Sequence, residues 1–481
     1  MRMALTKTTR RVIFYASVAL FLLATPVIIL YSLGYTVNIQ DKTIQTTGGI
    51  FVKTVMHPGF TIFLDGVFYK ETSFLSRGAL VTDLRPGYHS VAVAKDGYLP
   101  WTKNVLVESR RVAEFRFIVL VPEPQNQAHI ATTTPHISDA RFLLRDVIFE
   151  STSPLAPPLV TDPSFASAGN TRHLLSANLT IADWNEEQNR ILFVRTDPTT
   201  DSAFWSIGIL ADNSYEERWK RPTRFFVKTN TATTTPRILE ARGVRRIALD
   251  PERNDGIFIL DTSGTVYRGS TASNDITPFV PNVAFFSPVA NALAFIDTNG
   301  FLASADTQSD AIAVIGRRGF FLKPNVPPQF ARASSEALAI IDSAGGLFLQ
   351  EPGSPELAQV DSGARGMMFD KTGAKLLVWK EQEIFVHWLK EQEQQPQRAK
   401  NERSKIVLWP EVTIKKAIWQ TNTYEHIIFS TQNGLFLSDV DNRGGLNIQK
   451  ITDGPIIDFI YDKKEKRLRW LDEKHILEIE L

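Results

Sequence analysis

The chain contains no cysteine, which excludes a disulfide framework, a thiol nucleophile and any zinc site built on thiolates. Histidine is sparse: His57, His89, His129, His136, His173, His387, His426 and His475 are scattered, and none falls at a metal-ligand spacing such as H-E-x-x-H. They read as solvated or core side chains. Also missing are the G-x-S-x-G elbow, the G-x-x-x-x-G-K-[ST] loop and the G-x-G-x-x-G fingerprint. Charge of either sign is not in excess, since the formal net charge is +1. Outside Arg2, Lys7, Arg10 and Arg11 the chain holds 49 basic against 52 acidic side chains, which lacks the basic footprint of a nucleic-acid binder. No catalytic, cofactor-binding or metal-ligating residue is therefore assigned, and the chain is not expected to be an enzyme.

What is present begins with one long apolar run. Residues 12–33, VIFYASVALFLLATPVIILYSL, carry no charge, and as a helix they would span about 33 Å, enough for a bilayer core of about 30 Å. The run reads as a transmembrane signal anchor. Basic residues crowd only its N-terminal flank, so the positive-inside rule makes residues 1–11 a cytoplasmic tail and places the rest outside the cell membrane. Tyr31 and Tyr35 fit the outer interface, and a kink at Pro26 is tolerable in a span. The competing reading is a cleaved signal with Ser32-Leu33-Gly34 as its small-residue site, although its apolar region exceeds the usual stretch of roughly 7–15 residues.

The C-terminal two thirds carry a repeat. Ile257-Phe-Ile-Leu-Asp261-Thr-Ser-Gly264 recurs as Leu293 to Gly300, Leu338 to Gly345 and Ile427 to Gly434, with turn glycines 36, 45 and 89 residues apart. The widest gap has room for a degenerate copy at Lys375 to Trp379, followed by Ile384 to Val386. Outlying copies sit at Arg190 to Val194 and Arg467 to Trp470. Leading strands are expected at Ile181 to Trp184, Val283 to Phe286, Met367 to Phe369, Ala417 to Trp419 and Ile457 to Ile460. Short β-branched and aromatic segments broken by Gly, Asn and Asp read as antiparallel meanders. A period of roughly 40 residues with about four strands matches propeller blades, and about seven are expected.

Between the apolar run and the repeat, residues 48–122 alternate strand and turn: Ile50 to Val55, Phe60 to Leu64, Tyr88 to Ala94, Asn104 to Val107 and Ala113 to Val119, with turns at Pro58-Gly59, Asp65-Gly66, Pro86-Gly87 and Asp96-Gly97. This reads as a compact β-sandwich near the lower size limit for an independent core. Pro58-Gly59, Asp65-Gly66, Leu84-Arg-Pro86-Gly87-Tyr88-His89-Ser-Val91-Ala-Val93 and Lys95-Asp-Gly97-Tyr98 stand in the order of the PEGA domain family, which the segment resembles. Two departures are Pro58-Gly59-Phe60-Thr61 in place of the tetrapeptide that names the family, and Thr72-Ser73 in place of its Thr-Pro. The resemblance implies packing or adhesion at a cell surface and no chemistry. Tyr98 and Trp101 are expected to pack beneath the Gly97 turn.

Residues 123–136, polar and punctuated by proline, read as a linker, and 137–481 as the β-propeller. The repeats resemble the WD-like, TolB-type propeller family, Val283 to Asp297 being the nearest copy. The last copy supplies three strands (457–461, 467–471, 475–481), and its fourth is expected from Arg141 to Leu144 or Val147 to Phe149, closing the ring and protecting its edges. Residues 151–173, 229–236 and 390–405 read as mobile surface loops. Asp439-Val-Asp441-Asn442-Arg443-Gly444 begins like a calcium loop, but Arg443 at its fifth position and Lys450 at its twelfth put positive charge where the ion needs oxygen. Trp184, Trp379, Trp419 and Trp470 lie on blade strands and are expected in the packing between blades rather than in a sugar site.

The fold expected is mainly β: an N-terminal transmembrane helix, a small PEGA-like β-sandwich and a propeller of about seven blades. The function expected is that of a single-pass surface protein that binds or scaffolds an envelope protein or glycan, reaches the membrane through its helix and has no nucleic-acid partner. The alternative is an extracytoplasmic propeller enzyme or enzyme accessory acting on glycan or peptide, which would need carboxylates, His or Arg converging in the funnel.

Overall fold

The computed structural model describes residues 7–32, 35–38, 43–124 and, with interruptions of which 151–173 is the longest, 128–481. The uncharged run as far as Ser32, with the basic flank from Lys7, forms α1 (Lys7–Ser32). Its stretch Thr8–Pro26 is long and apolar enough to cross a membrane, and the side chains of Leu20, Phe21, Leu22 and Leu23 are exposed rather than packed on the rest of the protein.

Beyond α1 come a hairpin of β1 (Tyr35–Asn38) and β2 (Thr43–Thr46), then two facing sheets. One has the order β6 (Gly78–Leu84), β3 (Gly48–Thr54), β9 (Val112–Ile118), with β3 and β9 parallel. The other has the order β5 (Val67–Glu71), β4 (Thr61–Leu64), β7 (Gly87–Ala94), β8 (Trp101–Val107). Alternate residues point inward, and Ile50, Val52, Phe60, Ile62, Val81, Val91, Val93, Trp101, Val105 and Phe115 form one buried core. Asp65 and Gly66 both take positive φ (51° and 78°), the geometry that a two-residue hairpin turn requires. β5 and β6 were not anticipated. β5 is exposed along its whole length, so no buried face stamps a period on its sequence.

After residue 140 the chain runs through successive sheets. A three-stranded sheet (141–144, 147–150, 174–176) precedes a four-stranded meander at 179–218. A six-stranded sheet follows, in which the meander 244–280 is extended by strands at 225–227 and 237–239. Four-stranded meanders then occupy 283–316, 329–361, 366–408 and 414–453. These are sheets of the propeller-blade type. Each recognised repeat falls on the second strand of its meander, such as Gly256–Asp261 and His426–Thr431, which are buried at every residue because neighbouring sheets cover both faces.

The last sheet corrects the expected closure. Its three C-terminal strands, Asp458–Asp462, Arg467–Leu471 and His475–Glu480, are joined by β10 (Ala128–Thr132), with Ala128 opposite Glu478 and Thr132 opposite His475. The stretch expected as a linker therefore carries the closing strand. Arg141–Leu144 and Val147–Glu150 pair with each other instead. Polarity and proline around β10 mask an edge strand, which needs few apolar residues of its own.

The Asp-x-x-Gly turns explain how successive sheets are joined. In three of them the aspartate Oδ1 accepts an N–H four residues on, at 2.8 Å in each case: Thr265 to Asp261, Phe301 to Asp297 and Gly346 to Asp342. The glycine carbonyl then accepts an N–H from the chain leading into the next sheet: Val283 to Gly264 (2.7 Å), Phe320 to Gly300 (2.8 Å) and Ala364 to Gly345 (2.9 Å). These glycines sit at φ of 84–86°, and a Cβ on any of them would lie 3.2 Å from that next segment's carbonyl oxygen. The motif is a staple between sheets, which accounts for both its glycine and its period.

Candidate binding site at the domain junction

β8 and β9 are the edge strands of the two sandwich sheets on one side, and the propeller segment 439–444 lies against them. Along β8 the inward positions are Trp101, Lys103, Val105 and Val107, so one charged residue stands on a core-facing register. Burying an ammonium there is tolerable only with oxygen partners. Lys103 Nζ lies 3.4 Å from Asp439 Oδ2 and donates to the Asp441 carbonyl. The Trp101 indole N–H donates to the same Asp439 Oδ2 at 2.9 Å, and His426 Nε2 lies 3.2 Å from Oδ1. The Lys103 and His426 side chains are each 1% exposed. Burial by itself would raise the Asp439 carboxyl, but the facing His426, Lys103 and Trp101 outweigh it and hold the group below its ordinary value of 3.8.

A second set of contacts grips the sandwich edge from outside. Asp441 pairs with Arg443 at 2.6 Å, so the segment that resembles a calcium loop carries its own cation. Arg443 Nη2 donates to the Glu114 carbonyl (2.7 Å), its Nη1 donates to Gln395 Oε1 (2.6 Å), and its guanidinium lies 4.8 Å from the Phe115 ring centroid. Gln395 accepts the Glu114 N–H and donates to the Val112 carbonyl, both at 3.0 Å. Its side-chain amide thus satisfies the β9 edge as a neighbouring strand's peptide would. Arg398 bridges the same loop to Asn442 (2.7 Å). On β8, the Asn104 N–H donates to the Gly444 carbonyl at 3.0 Å, and a Cβ at Gly444 would meet Asn104 O at 2.6 Å. The apolar layer is continuous across the seam. Val119 and Val121, just past β9, are buried with Leu435, Leu437, Ile451, Phe459 and Trp470 of the last two sheets, each valine worth roughly 1.5–3 kcal/mol of burial.

Between these contacts lies a cavity of about 770 Å³ walled by both domains, with Tyr88, Leu106 and Phe115 as apolar surface and Arg111, Gln397 and Arg443 as polar groups. Cavities of this size at domain interfaces are where small or extended ligands bind. The one carboxylate in this lining, Glu108, pairs with Arg111 at 2.7 Å. Asp439, the carboxylate beside His426, lies outside this lining and is shared with Trp101 and Lys103.

Comparison with protein-family models and with curated proteins finds no match. Among solved structures, the chain is similar to the Swd1 β-propeller domain of Myceliophteria thermophila Cps50 (10% identity, 63% of this chain and 97% of that one, TM-score 0.39). It is also similar to YCF48 from Cyanidioschyzon merolae (9% identity, 63% and 96%, TM-score 0.38). A third is the extracellular domain of the hybrid two-component system BT4673 from B. thetaiotaomicron (10% identity, 89% of this chain and 57% of that one, TM-score 0.40).

The residues singled out in the sequence fall as follows. Trp101 is buried, edge-on to Phe115 at 5.4 Å, and Tyr98 packs against the same core. Trp419 and Trp470 are buried and Trp379 is half-buried among blade residues. Residues 151–173 and 229–236, His136, and the Leu33-Gly34 part of the alternative cleavage site lie outside the described residues. The reading of 390–405 as a free loop is corrected: Gln395 and Arg398 tie it to the sandwich and to Asn442. Lys103, Gln395 and His426 were not recognised as partners of Asp439 or of the β9 edge. The one available signal was Lys103 itself, a charge on the inward register of an otherwise apolar strand.

Proposed function

We propose that this protein is a single-pass membrane protein of the cell surface that binds or scaffolds an envelope protein or glycan and is not an enzyme. In this reading α1 is an uncleaved anchor, residues 1–11 are cytoplasmic and the remainder is extracytoplasmic. The sandwich at 48–122 is PEGA-like, and the meanders at 179–218, 244–280, 283–316, 329–361, 366–408 and 414–453, with the β10-closed sheet, are seven blades. The observation that carries the reading is the junction cavity, about 770 Å³ in volume and walled by both domains. Its Arg443 guanidinium and Gln395 amide are fixed by contacts across the seam, so a partner would meet preorganised groups there.

The test places a photo-crosslinking residue at the exposed Gln397 in the full chain in native membranes. A discrete adduct with one envelope protein or glycan is the outcome expected. Turnover of a glycan or peptide by the purified chain, with no adduct, would overturn the binding reading in favour of an enzyme.

A further inference from the structure

The short path from α1 to the sandwich fixes which end of the sandwich faces the anchor. α1 ends at Ser32 and β1 starts at Tyr35. β1 and β2 form an antiparallel hairpin in which Tyr35 lies opposite Thr46, so the chain returns to where it left before entering β3 at Gly48. Whatever course the chain takes between Ser32 and Tyr35, three residues and one strand spacing reach at most about 15 Å. The contacts at the foot agree: Thr46 Oγ1 donates to Ser109 Oγ at 3.0 Å, the Arg110 N–H donates to the Thr47 carbonyl at 2.8 Å, and the Arg110 guanidinium lies 5.9 Å from the Tyr35 ring centroid.

Strand register identifies the rest of that end. Gly48 pairs with Leu84, Gly49 with Val112 and Gly87 with Val107, which gathers the 84–87 and 108–111 connections beside the foot. Three apolar side chains point outward there: Tyr88 and Leu106, cross-strand partners that are 69% and 48% exposed, and Val112 at 38%. Arg85, Arg110 and Arg111 are exposed around them. Arg111 also pairs with the exposed Glu108, a contact of little worth in water. Aromatic and apolar side chains ringed by arginines suit the boundary of a bilayer, where the rings and stems enter the headgroup layer and the guanidinium groups meet phosphates.

We propose that this end of the sandwich is a membrane-contact surface, with Tyr88, Leu106 and Val112 seated in the headgroup layer of the bilayer that α1 crosses and Arg85, Arg110 and Arg111 against lipid phosphates; the bilayer then covers the sandwich wall of the junction cavity, and a partner is met at its Gln395, Gln397 and Arg443 side. The proposal rests on reading α1 as a membrane span. Its consequence is orientation: the sandwich stands as a foot on the lipid, and the propeller, gripped along β8 and β9, is held at a set attitude.

The absence of cysteine permits single-cysteine labelling of the full chain reconstituted in vesicles of zwitterionic lipid, with or without phosphatidylglycerol. An environment-sensitive fluorophore is placed at Leu106→Cys, at Leu75→Cys and at Val18→Cys. Leu75 is 79% exposed and lies beyond Thr54, at the opposite end of β3, where the Thr54 N–H meets the Arg77 carbonyl. The label at 106 is expected to shift to the blue, to be quenched by spin-labelled lipid and to lose quenching by iodide, while the label at 75 stays iodide-accessible. Arg85→Gln with Arg110→Gln is expected to weaken the lipid quenching at 106 in the anionic vesicles. A label at 106 that remains iodide-accessible while the label at 18 is lipid-quenched overturns the proposal and leaves the anchor standing. Lack of quenching at 18 overturns the anchor and the proposal with it. A blue shift at 106 without quenching by spin-labelled lipid also overturns it, because a protein surface would then be the occupant.

Discussion

The Lys103–Asp439 contact allows a quantitative test of how the two domains are joined. At 3.4 Å the attraction of two unit charges is about 5 kcal/mol at an effective dielectric near 20. Desolvating two almost fully buried ions consumes several kcal/mol, so the pair as a whole contributes little compared with an apolar pair of similar shape. Removing one partner is different, because the other is left charged and buried. Asp439→Asn preserves the shape and an acceptor for Trp101 but leaves the Lys103 ammonium without its counter-charge, and Lys103→Met leaves the carboxylate against His426 alone among the basic groups. Each is expected to destabilise the protein by about 3 kcal/mol, roughly 150-fold in the unfolding equilibrium. The double variant is expected to lie within about 1 kcal/mol of the unsubstituted chain, a coupling of about 5 kcal/mol. The assay is denaturant unfolding of the full chain in micelles, followed both by the emission of its nine tryptophans, Trp101 among them, and by far-ultraviolet dichroism. Single substitutions costing under about 1 kcal/mol, or costs that simply add in the double variant, would refute the argument.

Four further outcomes follow from the same geometry. Because the folded Asp439 carboxyl is held below 3.8, its contribution is full above the unfolded value near 3.9 and is lost as pH falls through the folded one; stability measured from pH 6 downward should drop below about pH 4, less steeply in Asp439→Asn. Gly300→Ala forces an alanine to φ of 84° with its Cβ 3.2 Å from Phe320 O and is expected to cost at least about 1–2 kcal/mol by denaturant titration. Deleting residues 475–480 removes the strand between β10 and Arg467–Leu471 and should abolish cooperative melting of the propeller; an unchanged calorimetric transition would reject the closure. Gln395→Ala leaves the Glu114 N–H and the Val112 carbonyl without that partner, and faster proteolytic cleavage within 390–400 is the expected sign.

What the sequence alone conveyed was whatever depends on neighbours along the chain. Apolar alternation and turn residues located the second strand of each repeat copy and most sandwich strands, and an uncharged run of 22 residues located α1. The repeat glycines were legible as turns for the same reason, since positive φ is a local demand. β5 and β10 escaped because edge strands borrow their hydrogen bonds from partners and need no apolar period of their own, and β10 pairs with a strand almost 350 residues away. The junction escaped for a related reason. Asp439, His426, Lys103 and Gln395 come from four separate stretches, and nothing in their spacing relates them. Only the tertiary fold brings a charge on the inward register of β8 to a carboxylate that needs it, turns an apparent calcium loop into an interdomain grip, and converts the inter-strand turns into staples between sheets. Local patterning decided which segments are strands; long-range pairing and the requirement that buried charge find a counter-charge decided how they are joined.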